Sequence, residues 1–360
     1  MKRYLFVLAA AMLLMTVSAG AAEIPKEWER ALPRDTLRLL DKVDPAETGA
    51  LGSGIAAIWN ETASRLGGLV RERMRGTVCL MLVVLACGAA EGFAGACTDR
   101  SGLRLVPIVG ALSITLLSAG SLHTLIGLGS ETIAQLGSFA KILFPVLAAA
   151  TAASGAVTTA TVQQVSTVLL SQLLIGLIHG ILLPMVYLYI AALTAGTMLP
   201  DHTLGALAEF LKKALTWVLS IALTLFTLYL SAAHVISGTA DAAKVKLAKA
   251  AISGVVPVVG GIIAEASETV LAGAGVLRSS VGLFGLLAVL ALCAYPFLQL
   301  GVQYLFYKLA AALCGTVGSG DLGKLINGLG GAFGLVLGMT GACALLILIS
   351  VLTCTAAVAV

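Results

Sequence analysis

Eight titratable side chains fall inside or at the edges of strongly apolar stretches: Glu91, His123, Glu131, Lys141, His179, His234, Glu265 and Glu268. A charge at bilayer depth is costly unless it is paired or hydrated, so these positions are where proton- or cation-coupled chemistry would reside. Glu265 and Glu268 form the sharpest pair, because three residues apart they share one face of a helix. They follow a Gly/Pro break, Pro257, Gly260 and Gly261, which would leave backbone groups free to hold an ion. The plainer alternative sets them at a water interface or against a partner protein. Glu131 and His123 are the further polar candidates, and Pro145 marks a second broken segment.

Other chemistry lacks its reactive groups. The run Gly318-Ser-Gly-Asp-Leu-Gly323-Lys324 has P-loop spacing, but Leu325 replaces the Ser/Thr that ligates magnesium, and an apolar helix precedes it instead of a strand. No GxSxG elbow and no HExxH motif occurs. The seven cysteines, Cys79, Cys87, Cys97, Cys293, Cys314, Cys343 and Cys354, form no CxxC pair, and nearly all lie in or beside apolar runs. They read as reduced, buried thiols. The expectation is a protein that is not an enzyme, with no cofactor and no metal.

The elements that carry these residues are membrane spans. Hydrophobic residues make up 59% of the 360 and charged residues 11%, against roughly a quarter charged in soluble domains. A net charge of +4 from scattered basic residues excludes a nucleic-acid surface. Residues 1–22, with Lys2, Arg3, an apolar core and a small-residue ending, read as a signal peptide, the alternative being an uncleaved anchor. Residues 23–75 are then an extracytoplasmic polar segment. It closes in an amphipathic helix at the membrane surface or against a partner, where Leu66, Leu69, Val70 and Met74 alternate with Arg65, Arg71, Glu72, Arg73 and Arg75, the alternative being a solvated lead-in to the first span.

Residues 76–360 form a multi-span membrane domain. Apolar segments at about 77–96, 103–128, 132–153, 166–199, 212–236, 255–277, 280–314 and 325–358 predict an all-α polytopic protein with about seven or eight transmembrane segments. Two are too long for one straight crossing: 34 or 35 residues rise about 50 Å against a hydrocarbon core of about 30 Å. These must tilt, project or kink, and each has a central proline, Pro184 or Pro296.

Spacing suggests a duplication. Pro145 and Pro184 are 39 residues apart, as are Pro257 and Pro296, and His123 and His234 precede the first proline of each pair by 22 and 23 residues. The copies would cover about 103–199 and 212–314, inverted if the Pro-broken segments span and parallel if they re-enter. Basic residues orient the chain weakly: with eight crossings and the N-terminus outside, inner loops carry Arg100, Arg104, Lys244, Lys246, Lys249 and Lys324, and outer ones carry Lys141, Lys212, Lys213 and Arg278. In the last segment Gly330, Gly334, Gly338 and Ala342 recur every four residues, a small-residue stripe that permits close helix packing within the chain or between subunits.

The run Val255-Val-Pro-Val-Val-Gly-Gly-Ile-Ile-Ala-Glu-Ala-Ser-Glu-Thr-Val270, with Ser280-Val-Gly-Leu-Phe-Gly285, Cys293-Ala-Tyr-Pro296 and Tyr307-Lys-Leu-Ala-Ala-Ala312, closely resembles the stage III sporulation protein AE family of endospore-forming bacteria. The order of parts agrees over almost the whole chain, from signal peptide through the polar Ile-Pro-Lys-Glu-Trp28 opening to the multi-span body. The resemblance implies a membrane component of the channel-like or secretion-like complex joining mother cell and forespore. Its implied partners are a cytoplasmic ATPase, ring-forming and membrane subunits, and a forespore partner protein. Its implied location is the mother-cell-derived membrane around the forespore, and it brings no established functional residues. The alternative function is a stand-alone secondary transporter using intramembrane carboxylates.

Overall fold

A computed structural model describes residues 32–33, 36–37, 50–96, 105–153, 157–198, 202–255, 260–315 and 320–356. Every long element among them is helical: α1 Ala50–Ala96, α2 Leu105–Ala153, α3 Val157–Leu177, a π turn Ile178–Leu182 leading directly into α4 Leu183–Met198, α5 His202–Val255, α6 Gly260–Cys314 and α7 Gly320–Ala356. Six stretches among the described residues are long and apolar enough to cross a membrane: Gly52–Phe93, Val106–Ala153, Gln164–Met198, Thr203–Tyr229, Ser280–Cys314 and Gly320–Thr355. The protein is an all-helical polytopic membrane protein.

Among the described residues, two of the breaks expected between apolar segments do not occur. Segments 103–128 and 132–153 are one helix of 49 residues. The polar piece between them satisfies itself on its own helix: Thr132 Oγ1 donates to the Leu128 carbonyl at 2.7 Å, and Gln135 Nε2 donates to Glu131 Oε1 at 3.2 Å. Segments 255–277 and 280–314 likewise fall largely on the 55-residue α6. Arg278, Ser279 and Ser280 lower the hydropathy there without supplying a helix breaker. The boundary drawn between 75 and 76 lies inside α1, so the amphipathic lead-in and the first span form one rod. At 47 to 55 residues, α1, α2, α5 and α6 each rise about 70–80 Å, well beyond a hydrocarbon core of about 30 Å.

The prolines behave differently from one another. Pro145 does not break its helix; it lies inside α2, exposed. Pro296 lies inside α6. Pro184 sits just past the π turn, where the Leu183 N–H bonds the Ile178 carbonyl five residues back. A proline has no N–H for the carbonyl four residues earlier and crowds it, and a one-residue shift of the ladder relieves both problems. Pro257 lies outside the described residues.

The last helix is the hub: α7 packs against α2, α3, α4, α5 and α6. Leu325, Ile326, Leu329, Phe333, Val336 and Met339 on it are fully enclosed. Its register with α6 is antiparallel, because a Cβ added at Gly330 would lie 3.0 Å from Tyr307 Cβ, at Gly334 3.0 Å from Tyr304 Cε2, and at Gly341 3.2 Å from Phe297 Cζ. The glycines thus receive an aromatic ridge. Buried polar bonds pin the same helices: Tyr189 Oη donates to the Gly328 carbonyl at 2.8 Å, Tyr307 Oη donates to Ser118 Oγ at 2.8 Å, and the Tyr307 and Phe333 rings meet edge-on at 5.1 Å. Lipid tails give apolar helices no reason to associate, so close packing and such bonds carry the assembly.

Candidate functional site

A level across the bundle gathers polar and irregular features from four elements. On α1, Arg65 Nη2 pairs with Glu61 Oε1 at 3.1 Å, and its guanidinium stands 5.7 Å from the centre of the Tyr295 ring of α6. On α2, Ser130 Oγ lies 3.3 Å from Nδ1 of His179, which sits in the π turn. Glu131 is the next residue of α2. A cavity of about 420 Å³ opens at this level between α1, α2 and α6, with Glu61, Arg65, Glu131, Gln135, Tyr295 and Pro296 in its lining. Pro296 carries no N–H to donate to the Leu292 carbonyl, and both residues line the cavity.

From this level a polar strip runs along α2. His123, Glu131, Ser138, Lys141 and Pro145 are all exposed, and at 100° per residue they fall within an arc of about 80°. Gly120, Gly127 and Ala134 fill the turns between them and are also exposed. Large exposed apolar side chains on α2 end at Leu117. Pro145 adds a polar backbone group to the strip, because the Lys141 carbonyl one turn earlier has no N–H to accept from it.

Farther along the same helices a smaller cavity of about 170 Å³ is lined by Glu72, Arg73, Ser121, Gln303 and Tyr307. Gln303 is only 3% exposed. Its amide oxygen and the Arg73 Nε have no hydrogen-bond partner within the protein.

The structure therefore brings Glu131 together with Glu61, Arg65 and the Ser130–His179 pair, and puts His123 and Pro145 on the same strip of α2. Gly260, Gly261, Glu265 and Glu268 fall on the backbone of α6, with side chains outside those described. His234 stands on α5 in the same condition. The small-residue stripe divides. Gly330 and Gly334 meet α6, whereas a Cβ added at Gly338 would lie 3.6 Å from Leu219 Cδ2 of α5, and Ala342 is buried. Steps of four residues advance about 40° around a helix, so Gly341 continues the α6 seam in place of Gly338. Gln303 carries no mark in the sequence beyond its polarity in an apolar run, and Glu61 none within the polar segment.

The sequence model of the family described as Stage III sporulation protein AE (spore_III_AE) matches residues 40–358. Stage III sporulation protein AE of Bacillus subtilis (strain 168) is 23% identical over 359 residues, covering 89% of this chain and 89% of that protein. No solved structure matches.

Proposed function

This chain belongs to the stage III sporulation protein AE family, and from that premise we propose that it is an integral membrane component of the channel-like or secretion-like complex connecting mother cell and forespore. The observation that carries the reading is the polar strip of α2, from His123 to Lys141, on a helix apolar enough to cross a membrane. A subunit that only anchored other proteins would have no use for such a strip. A passage or a partner gives it one. On this reading the partners are the ATPase, ring-forming and membrane subunits of the same sporulation stage, and the membrane is the mother-cell-derived one around the forespore.

The N-terminal segment then lies outside the cytoplasm, as the signal-peptide reading of residues 1–22 requires, and a cysteine replacing exposed Asn60 is labelled from outside the cell. The duplication also belongs to this proposal. In each copy a long helix bearing the histidine precedes a second long helix bearing the central proline, Pro184 in one and Pro296 in the other. Pro145 lies inside α2, and its counterpart Pro257 lies outside the described residues. A count of seven or eight crossings would need further spans among the residues not described.

A stand-alone permease is the second reading, favoured by the π turn with His179 beside Ser130, an arrangement suited to holding a proton. Mild-detergent purification from sporulating cells separates the two. Co-isolation with the ATPase and ring proteins supports the complex. Isolation alone, with substrate uptake by the pure protein in liposomes, supports the permease.

A further inference from the structure

Around the cavity of about 170 Å³ three helices present polar groups to one another without joining them: α1 supplies Glu72 and Arg73, α2 supplies Ser121, and α6 supplies Gln303 and Tyr307. On the α6 side the amide has a fixed orientation. Gln303 hydrogen-bonds the Tyr307 hydroxyl, and that hydroxyl donates its own proton to Ser118 Oγ at 2.8 Å. The hydroxyl therefore accepts from the amide nitrogen, which leaves the Gln303 oxygen as the atom without a protein partner. On the α1 side the unpartnered atom is a donor, the Arg73 Nε. Buried groups of this kind are costly when bare and are met in folded proteins by a bound partner.

The occupant must accept from a guanidinium and donate to an amide oxygen. Arg73 opposes a cation there, while the Glu72 carboxylate and the Gln303 oxygen oppose an anion. A metal ion lacks ligands, because among the described residues no three His, Cys, Asp or Glu side chains come together. Water both donates and accepts, carries no charge, and at about 30 Å³ per molecule fits several times over. Entry is open as well: Gly76 lines the cavity at the protein surface, and a Cβ added to it would meet nothing within 4 Å. We infer that this cavity is a hydration site, in which a cluster of bound waters bridges Arg73 of α1 to Gln303 of α6 and fastens the first helix to the bundle. A bridging water is enthalpically nearly as good as a direct bond. Through Tyr307 and Ser118 the cluster continues as a hydrogen-bonded chain into α2. The site concerns the joint between α1 and α6, apart from the α2 strip, and it belongs to the chain on its own, with or without sporulation partners.

A short X-ray pulse generates hydroxyl radicals from water where the water lies, so a buried ring beside bound water is oxidised and an equally buried dry ring is not. Tyr307 is 2% exposed and lines the cavity; Phe333, whose ring meets it edge-on at 5.1 Å, is 0% exposed and does not. The full chain in mild detergent is pulsed, and oxidation at both rings is read by mass spectrometry. Tyr307 is expected to be oxidised several-fold faster than Phe333, beyond the difference between the two free amino acids. Gln303→Leu, which removes the acceptor, should bring Tyr307 down to the level of Phe333, and Gln303→Glu, which keeps one, should leave it high. Equal oxidation of the two rings in the native chain would overturn the inference, as would an unchanged Tyr307 rate in Gln303→Leu or an equal fall in both variants. The comparison within the native chain decides the matter should either variant fail to fold.

Discussion

A methyl group added at Gly330 would meet Tyr307 Cβ at 3.0 Å, with the Tyr307 backbone carbon at 3.7 Å, so neither side can yield by a change of rotamer. At Gly334 the obstacle is the edge of the Tyr304 ring, also at 3.0 Å, which is a movable end. At Gly338 the nearest atom is Leu219 Cδ2 at an ordinary 3.6 Å. The expected order of damage from alanine is therefore Gly330, then Gly334, then Gly338, with a cost of about 1–3 kcal/mol at the first. Gly334→Leu should disrupt the α6–α7 seam outright, while Leu335→Ile, which keeps volume, should be tolerated. Thermal unfolding of the detergent-solubilised variants measures the order, and equal melting temperatures for Gly330→Ala and Gly338→Ala would refute it. The small-residue stripe was legible in the sequence, but its partners were not. A four-residue repeat walks slowly around the helix, so half of it leaves the seam it started on, and nothing local marks Gly341 as the residue that stays. The Glu265 and Glu268 pair makes a separate prediction at this scale. If they face the passage, the double Gln variant keeps wild-type protein levels and loses sporulation output, whereas wild-type output would remove them from the functional set.

Helix continuity is the point at which hydropathy misled. A dip at Gly129-Ser-Glu131 looks like a loop between two spans, yet side chains of Thr132, Gln135 and Glu131 close their hydrogen bonds within one turn and the helix runs on. Splitting α2 there hid its most informative property, because the common face of His123, Glu131, Ser138 and Lys141 emerges only when one uninterrupted period is followed through all four. The individual residues His123, Glu131 and Pro145 could be picked out by type alone; their alignment could not. Pro184 shows the opposite case, a visible residue with an effect that sequence does not foretell. Its missing N–H is absorbed by a π turn, and that turn holds His179 against Ser130. Pro184→Ala should let the segment return to α-helical register and draw His179 away. A cysteine pair at 130 and 179 should then form a disulfide readily with Pro184 present and several-fold less with alanine there. An unchanged cross-linking rate would mean that packing, and not the proline, fixes the turn.

At the scale of the whole chain, a long apolar bundle with a polar side is the property that composition announced only in outline. Fifty-nine per cent hydrophobic residues require a membrane, but which face of α2 carries the exposed polar strip depends on which helices neighbour one another, and that is fixed by the hub position of α7. A subunit with such a perimeter has a use in an assembly and little use alone. The account stands or falls on whether the chain serves sporulation and not the growing cell. The direct measurement is the count of heat-resistant spores in the native host with the gene removed and then restored in trans, alongside its growth rate. Loss of spores by orders of magnitude with unchanged vegetative growth, and recovery on restoration, is the predicted result; a normal spore count without the chain would contradict it.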